Sequence, residues 1–179
     1  MELFAGAGGA RQGLHEAGFQ HLLSVEMDKV ACSTLIHAEP ASPVLCADVG
    51  TVDWSLYAPL EPDLVWASPP CQPYSKGGKR LGAADPRDCW PQTLEAIRVL
   101  QPRWVVIENV KGCPARQWGS ELRKNFAWAG HMLLNAVDFG VPQHRKRVFV
   151  CAGPAPLQWP SPTHCDPDDR FLRMMGRKP

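Results

Sequence analysis

Glu2-Leu3-Phe4-Ala5-Gly6-Ala7-Gly8-Gly9 decides how the chain is to be read. Glu2 to Phe4 reads as a short strand that breaks into a glycine-rich turn. The turn opens a helix that runs to about Ala17, where Gly18 stops it. Strand, glycine turn and helix together are the first unit of a βαβ fold in which the backbone can approach a ligand closely.

Working outward, the same alternation continues. Leu22 to Glu26 is a second strand, and Asp28 is placed to cap a helix that ends before Pro40. Pro43 to Cys46 and Asp63 to Ala67 are the third and fourth strands, the latter stopped by Ser68-Pro69-Pro70. A long glycine-bearing and basic loop spans Gln72 to Asp88. Trp90 to Leu100 is helical, Trp104 to Glu108 is a β-branched fifth strand, and Ser120 to Ala129 is predicted helical. His131 to Ala136 and Arg147 to Ala152 complete seven strands. Strands alternating with helices predict an α/β fold: a doubly wound, mostly parallel, Rossmann-like sheet. The short connection between the last two strands makes one of them antiparallel. One domain is expected over residues 1–153, followed by an irregular, proline-rich tail over 154–179.

Composition narrows the class. With 45% hydrophobic and 21% charged residues, the chain is that of an ordinary globular protein. No apolar run approaches the ~18 residues of a membrane span, and no secretory signal opens the chain. Seven cysteines form no C-x-x-C pair and six histidines form no H-x-x-x-H pair. Neither a disulfide framework nor a metal site is expected, and reduced thiols in a cytoplasm fit better. The net charge of +1 argues against autonomous, tight binding to a nucleic-acid duplex. Locally, Lys76, Lys79, Arg80 and Arg87 form one basic cluster and Arg145, Lys146 and Arg147 another.

In doubly wound sheets ligands bind beyond the carboxyl ends of the strands. Gly6, Glu26, Asp48, Cys71 and Glu108 all fall at or just past such an end. Glu26, twenty residues beyond Gly6, is where an acidic side chain can bind ribose hydroxyls. Asp48 can accept from an adenine amino group. These three point to an adenosine-containing cofactor without choosing between NAD and S-adenosylmethionine. Cys71, held between prolines at a strand end, is a presented thiol. It needs a nearby positive group such as Arg145 or Arg147 to ionise near neutral pH. Glu108 sits at the rim of the apolar run Trp104 to Ile107, where burial raises a carboxyl pKa. Strand alternation predicts that Gln143, Arg145 and Arg147 share one side.

Taken in order, Phe4-Ala5-Gly6-Ala7-Gly8-Gly9, Pro70-Cys71-Gln72, Glu108-Asn109-Val110 and Gln143-His144-Arg145-Lys146-Arg147 resemble four signature motifs of the C5-cytosine DNA methyltransferases. Glu26-Met27-Asp28, Ala47-Asp48-Val49, Asp85-Pro86-Arg87 and the stretch Trp159 to His164 are weaker matches. The resemblance implies S-adenosylmethionine as cofactor, held by Phe4, Ala5, Gly6, Gly8, Gly9, Glu26, Met27, Asp48, Val49 and Pro70. It implies Cys71 as nucleophile at carbon 6 of a flipped-out cytosine, with Glu108 on the ring nitrogen and Arg145 on the carbonyl as catalytic partners. Gln72, Ser75, Asn109, Val110, Gln143 and Arg147 would line the substrate. DNA is the expected partner, in the cytoplasm or at the nucleoid, with RNA as the alternative. Family members continue into a target-recognition region and a closing helix. Those parts are expected from a partner subunit if the chain works as one half of a split enzyme. A non-catalytic cofactor-binding remnant and an NAD-dependent dehydrogenase are the competing readings. The dehydrogenase leaves Pro70-Cys71-Gln72 and Gln143 to Arg147 unexplained.

Overall fold

The computed structural model describes residues 1–75 and 81–164. Lys76, Lys79 and Arg80 of the first basic cluster, and the basic stretch 170–179, lie outside the described residues. The strands are β1 (Glu2–Leu3), β2 (Ser24–Glu26), β3 (Val44–Cys46), β4 (Leu64–Ala67), β5 (Trp104–Val110), β6 (Trp128–Asn135) and β7 (Lys146–Gly153). They form one sheet in the order β3-β2-β1-β4-β5-β7-β6. β3, β2, β1, β4 and β5 pair in parallel, and β7 runs antiparallel to both β5 and β6. The doubly wound sheet with one reversed strand is therefore present. The ten residues between β6 and β7 are too few for a crossover, so β7 folds back and inserts beside β5.

The helices are α1 (Gly9–Glu16), α2 (Lys29–Ala38), α3 (Trp90–Leu100) and α4 (Ala115–Leu122). Strand order reverses between β1 and β4, and right-handed crossovers then place α1 and α2 on one face and α3 and α4 on the other. Leu3, Val25, Val65, Ala67, Val105, Ile107 and Val150 are completely buried between these layers. The first strands are short because each ends in a turn that serves the carboxyl edge. Asp28 caps α2 by accepting from the Ala31 amide at 2.8 Å, as the sequence predicts.

Two boundaries differ from expectation. The fourth helix begins at Ala115, five residues earlier than predicted, and residues 128 and 129 belong to β6. Its true apolar period is Ala115, Trp118, Gly119 and Leu122, all buried, at spacings of three, four and seven. The Arg123 guanidinium fastens the helix end to β6 through two hydrogen bonds to the Ala129 carbonyl, at 2.6 and 3.1 Å. β5 also runs two residues past Glu108, because β7 offers it a pairing edge as far as Val110. Beyond Gly153 the described residues are irregular, yet Trp159 packs against Trp128, and the Thr163 and His164 amides donate to the Asp138 carbonyl. Among the described residues no helix is long and apolar enough to cross a membrane.

Trp118 is 1% exposed and stacks on Trp90 with ring centroids 4.6 Å apart. Trp118→Ala leaves a cavity at this α3–α4 junction and should cost roughly 3–5 kcal/mol. Equilibrium denaturant unfolding checks this, and a loss well under 1 kcal/mol would show that the stack is not part of the core.

Candidate active site

The carboxyl edge of the parallel strands gathers the predicted residues. At the end of β2 the Glu26 carboxylate is held on both oxygens by backbone amides. Gly6 donates to Oε2 at 2.8 Å, and Met27 and Asp28 donate to Oε1 at 2.9 and 2.8 Å. Those bonds join the glycine turn after β1 to the turn after β2 and fix the carboxylate as an acceptor. Three of about four lone-pair positions are used, which leaves acceptor capacity chiefly on Oε2 for a ligand hydroxyl. The glycine turn has the conformation its residues permit, with Gly6 at φ 53° and Gly8 at φ 91°. A β-carbon on Gly8 would stand 2.8 Å from Leu35 Cδ2, so α2 also needs this glycine. Phe4 has a φ of 57° although it is not glycine, a strained conformation that the flanking strand and turn impose beside the site.

Asp48 is exposed and accepts from the Gly50 amide at 2.8 Å, capping a 3-10 turn at Val49–Thr51. Met27 is 67% exposed beside Glu26. Ala5 and Val49, expected as cofactor contacts, are both buried, and Val49 packs into the core.

Cys71 follows β4 and is half-buried. Its carbonyl accepts from the amides of Tyr74 and Ser75 at 3.0 and 2.8 Å, which coils the loop into a tight turn. Pro70 and Ser75 are half-buried, and Gln72 is exposed. The loop is fixed from two sides. Asn109 on β5, 2% exposed, donates its amide to the Pro69 carbonyl at 3.0 Å, and its own oxygen accepts from Val110. Asn109, expected at the substrate, joins β5 to the cysteine loop. On the other side the Tyr74 ring meets Trp118 edge-on at 5.5 Å. Burial, then a hydrogen bond to Asp88, pushes the Tyr74 phenol well above its usual range. A β-carbon on Gly112 would lie 2.5 Å from the Tyr74 carbonyl, so only glycine allows the post-β5 turn to close on this loop.

Glu108 is on β5 opposite Phe149, and the antiparallel register puts Arg147 diagonally across from it. Arg147 Nε lies 2.8 Å from Glu108 Oε1, with both side chains about a quarter or less exposed. Burial raises the Glu108 carboxyl pKa, outweighing the opposing pull of Arg147 and Arg145. The upward direction is the one expected from the sequence. The alternation predicted for Gln143, Arg145 and Arg147 does not hold. β7 begins only at Lys146, and the preceding turn, where the Gln143 amide donates to Val141 and the Arg145 amide to Gln143, leaves Gln143 and Arg145 exposed. The arginine in contact with Glu108 is Arg147. Val110 pairs with Arg147 across the ladder and is half-buried.

The sequence reading did not single out Tyr74, Gly112 or Trp118 as parts of the site. The signal for Gly112 was a glycine two residues past a strand end that carries Glu108, where close backbone approach is common. Tyr74 and Trp118 meet only through tertiary packing and have no local signal. The Asp85–Arg87 motif forms a bidentate pair, with Asp85 buried and bonds of 2.8 and 2.9 Å. Among the described residues no group of three or more potential metal ligands occurs.

Comparison with known proteins gives the same picture. Residues 1–167 match the family described as C-5 cytosine-specific DNA methylase. The type II methyltransferase M.AquIA of Picosynechococcus is 38% identical over 190 residues, covering 92% of this chain and 76% of that protein. M.NgoMIV of Neisseria gonorrhoeae is 34% identical, covering 93% of this chain and 56% of its own length. M.NaeI of Lentzea aerocolonigenes is 38% identical, with 93% and 43% covered. The chain therefore spans about half the length of the last two. Among solved structures, a mutant DNMT2 of Spodoptera frugiperda superposes with a TM-score of 0.72 at 28% identity, covering 89% of this chain and 51% of that one. EhMeth of Entamoeba histolytica shares the fold, with a TM-score of 0.71 at 20% identity, over 89% of this chain and 53% of its own. The chain belongs to the C-5 cytosine-specific DNA methylase family.

Proposed function

We propose that this chain is the catalytic part of an enzyme that methylates carbon 5 of a cytosine flipped out of DNA, with Cys71 as nucleophile. The observation that carries the reading is the joint between Asn109 and Pro69. It holds the Cys71 loop against the strand that carries Glu108, beside the Gly6–Glu26 cradle on the same sheet edge. Type II methyltransferase relatives support DNA over RNA as substrate.

The residues present fit S-adenosylmethionine. Glu26 offers a preorganised carboxylate with spare acceptor capacity, Asp48 an exposed one, and the glycine turn a backbone without β-carbons at Gly6, Gly8 and Gly9. When bound, the cofactor supplies an electrophilic methyl group that carbon 5 takes up. Carbon 5 of cytosine is too weak a nucleophile on its own. Addition of the Cys71 thiolate to carbon 6 pushes electron density onto carbon 5, a form of covalent catalysis. Glu108 donates its proton to the ring nitrogen as that density develops, and Arg147, already at its side, balances the carboxylate left behind. Solvent water then takes the carbon 5 proton, the C–H electron pair re-forms the 5,6 double bond and expels Cys71 as thiolate, and the ring nitrogen returns its proton to Glu108. The target base must leave the stack first, at a cost of a few kcal/mol.

Base-specific contacts and the closure of the cofactor pocket come, on this reading, from polypeptide outside these residues, in a partner subunit or elsewhere in a longer protein. The relatives' greater length supports this.

Three outcomes test the reading, each assayed with the chain alone and with the polypeptide that supplies recognition. Cys71→Ala should abolish transfer of tritiated methyl from S-adenosylmethionine to DNA while leaving calorimetric cofactor binding intact. Equal incorporation by the variant would refute the nucleophile, and preferential labelling of RNA would change the substrate. The raised pKa lets Glu108 keep its proton to higher pH than an ordinary glutamic acid, and activity that needs this proton falls as pH rises through that value. Glu108→Gln should lower kcat/KM about a hundredfold or more and remove the corresponding break from its pH profile. A profile unchanged in shape would contradict the acid role. Gly112→Ala should lower kcat strongly with little change in cofactor affinity, because its β-carbon displaces the Cys71 loop and not the Glu26 cradle.

A further inference from the structure

A pair of thiols stands away from Cys71, at the Glu26 cradle. Cys32 is in the first turn of α2 and Cys46 ends β3. The β2–β3 register sets Cys46 directly beside Glu26. Their sulfurs address consecutive carbonyls of the same turn: Cys32 Sγ donates to the Glu26 carbonyl at 3.2 Å, and Cys46 Sγ lies 4.0 Å from the Met27 carbonyl. The two thiols lie close enough to interact electrostatically across that turn. One is buried and the other exposed. Of the remaining described cysteines, Cys151 is buried in the core, and Cys71, Cys89 and Cys113 are half-buried.

We propose that Cys32 and Cys46 are a dithiol site that exchanges with low-molecular-weight disulfides and closes to an internal disulfide, loosening the Glu26–Asp28 turn. The chemistry needs no reagent beyond that disulfide. The exposed Cys46 thiolate attacks one sulfur of the small disulfide, whose S–S bond breaks and releases one small thiol with the proton that Cys46 lost. Cys32 then gives up its proton and attacks the Cys46 sulfur. The mixed disulfide breaks and the second small thiol leaves. Two protein thiols are oxidised by two electrons, and the small disulfide is reduced to two thiols.

The division of roles follows from the surroundings. Burial, then the interaction with the neighbouring Cys46, pushes the Cys32 thiol up to about 12, so Cys32 resolves and does not initiate. Part of that hold is Cys46 itself, and it is lost once Cys46 is in a mixed disulfide. The consequence for the turn is equally direct. Disulfide sulfurs carry no hydrogen, so the Glu26 and Met27 carbonyls lose both S–H groups. The sulfurs must also close to about 2.05 Å, which draws α2 towards β3 across the turn whose amides hold the Glu26 carboxylate. The effect on cofactor rests on the proposed function; the bond and the loosened turn do not.

The test treats the reduced chain with oxidised glutathione, alkylates the remaining thiols and maps the peptides by mass. A Cys32–Cys46 link is expected, reversed by dithiothreitol. Cys32→Ser should stop at glutathione on Cys46, and Cys46→Ser should form no link. Hydrogen exchange at Met27, Asp28 and Ala31 should quicken on oxidation in the wild type and not in Cys46→Ser. Calorimetry should show S-adenosylmethionine binding weakened at least tenfold in the linked form. Failure to link while exposed thiols take up glutathione would overturn the site, and a link with unchanged exchange would overturn the switch. Faster exchange with no cofactor binding in either state would instead fault the proposed function and leave the dithiol site standing.

Discussion

The buried hydrogen bond from the Asn109 amide to the Pro69 carbonyl is the joint on which the site depends. Without it, the cysteine loop after β4 and the glutamate strand β5 would be neighbours only through the ladder below them. A buried amide left without its acceptor costs about 1–3 kcal/mol, so the loop stays docked. Asn109 also spends its own oxygen on the Val110 amide, so both ends of the side chain are committed. Gly112 and the Tyr74–Trp118 contact close the other side, and the Cys71 loop is held between two packed surfaces.

Electrostatics then divides the edge into two regions. In the first, backbone amides hold an exposed-rim carboxylate, Glu26, as a fixed acceptor for neutral hydroxyls. In the second, burial pushes Glu108 towards its protonated form while Arg147 pulls it back. The balance makes Glu108 a group that can hold and release a proton, which an acid beside a developing ring charge must do. The reversed strand β7 is essential to this arrangement. Only an antiparallel neighbour of β5 brings an arginine that lies just inside its start to the diagonal of Glu108.

Much of this was legible in the sequence, for identifiable reasons. The glycine turn, the Asp28 cap and helix α3 are encoded locally, by backbone freedom, a capping side chain and a clear apolar period, and they fall where predicted. The convergence of Gly6, Glu26, Asp48, Cys71 and Glu108 followed from parallel topology alone. Three features were not legible because tertiary pairing decides them. β5 continues past Glu108 because β7 lies beside it, which buries Asn109 and lets it join β5 to the cysteine loop. Arg147 rather than Arg145 reaches Glu108 because the turn after Pro142 delays the strand and breaks the expected alternation. The α4 boundary was misplaced because the start of its period, Ala115, follows a proline and looks like loop.

The central claim is a covalent bond between Cys71 and carbon 6 of a cytosine ring. It is tested most directly with DNA in which the target cytosine carries fluorine at carbon 5, since fluorine cannot leave as a proton and the adduct cannot resolve. Incubated with S-adenosylmethionine and the polypeptide that supplies recognition, the chain should form a denaturation-resistant complex whose linked peptide contains Cys71. A methylated product formed from ordinary cytosine with no trapped complex, or a link through another residue, would contradict the account.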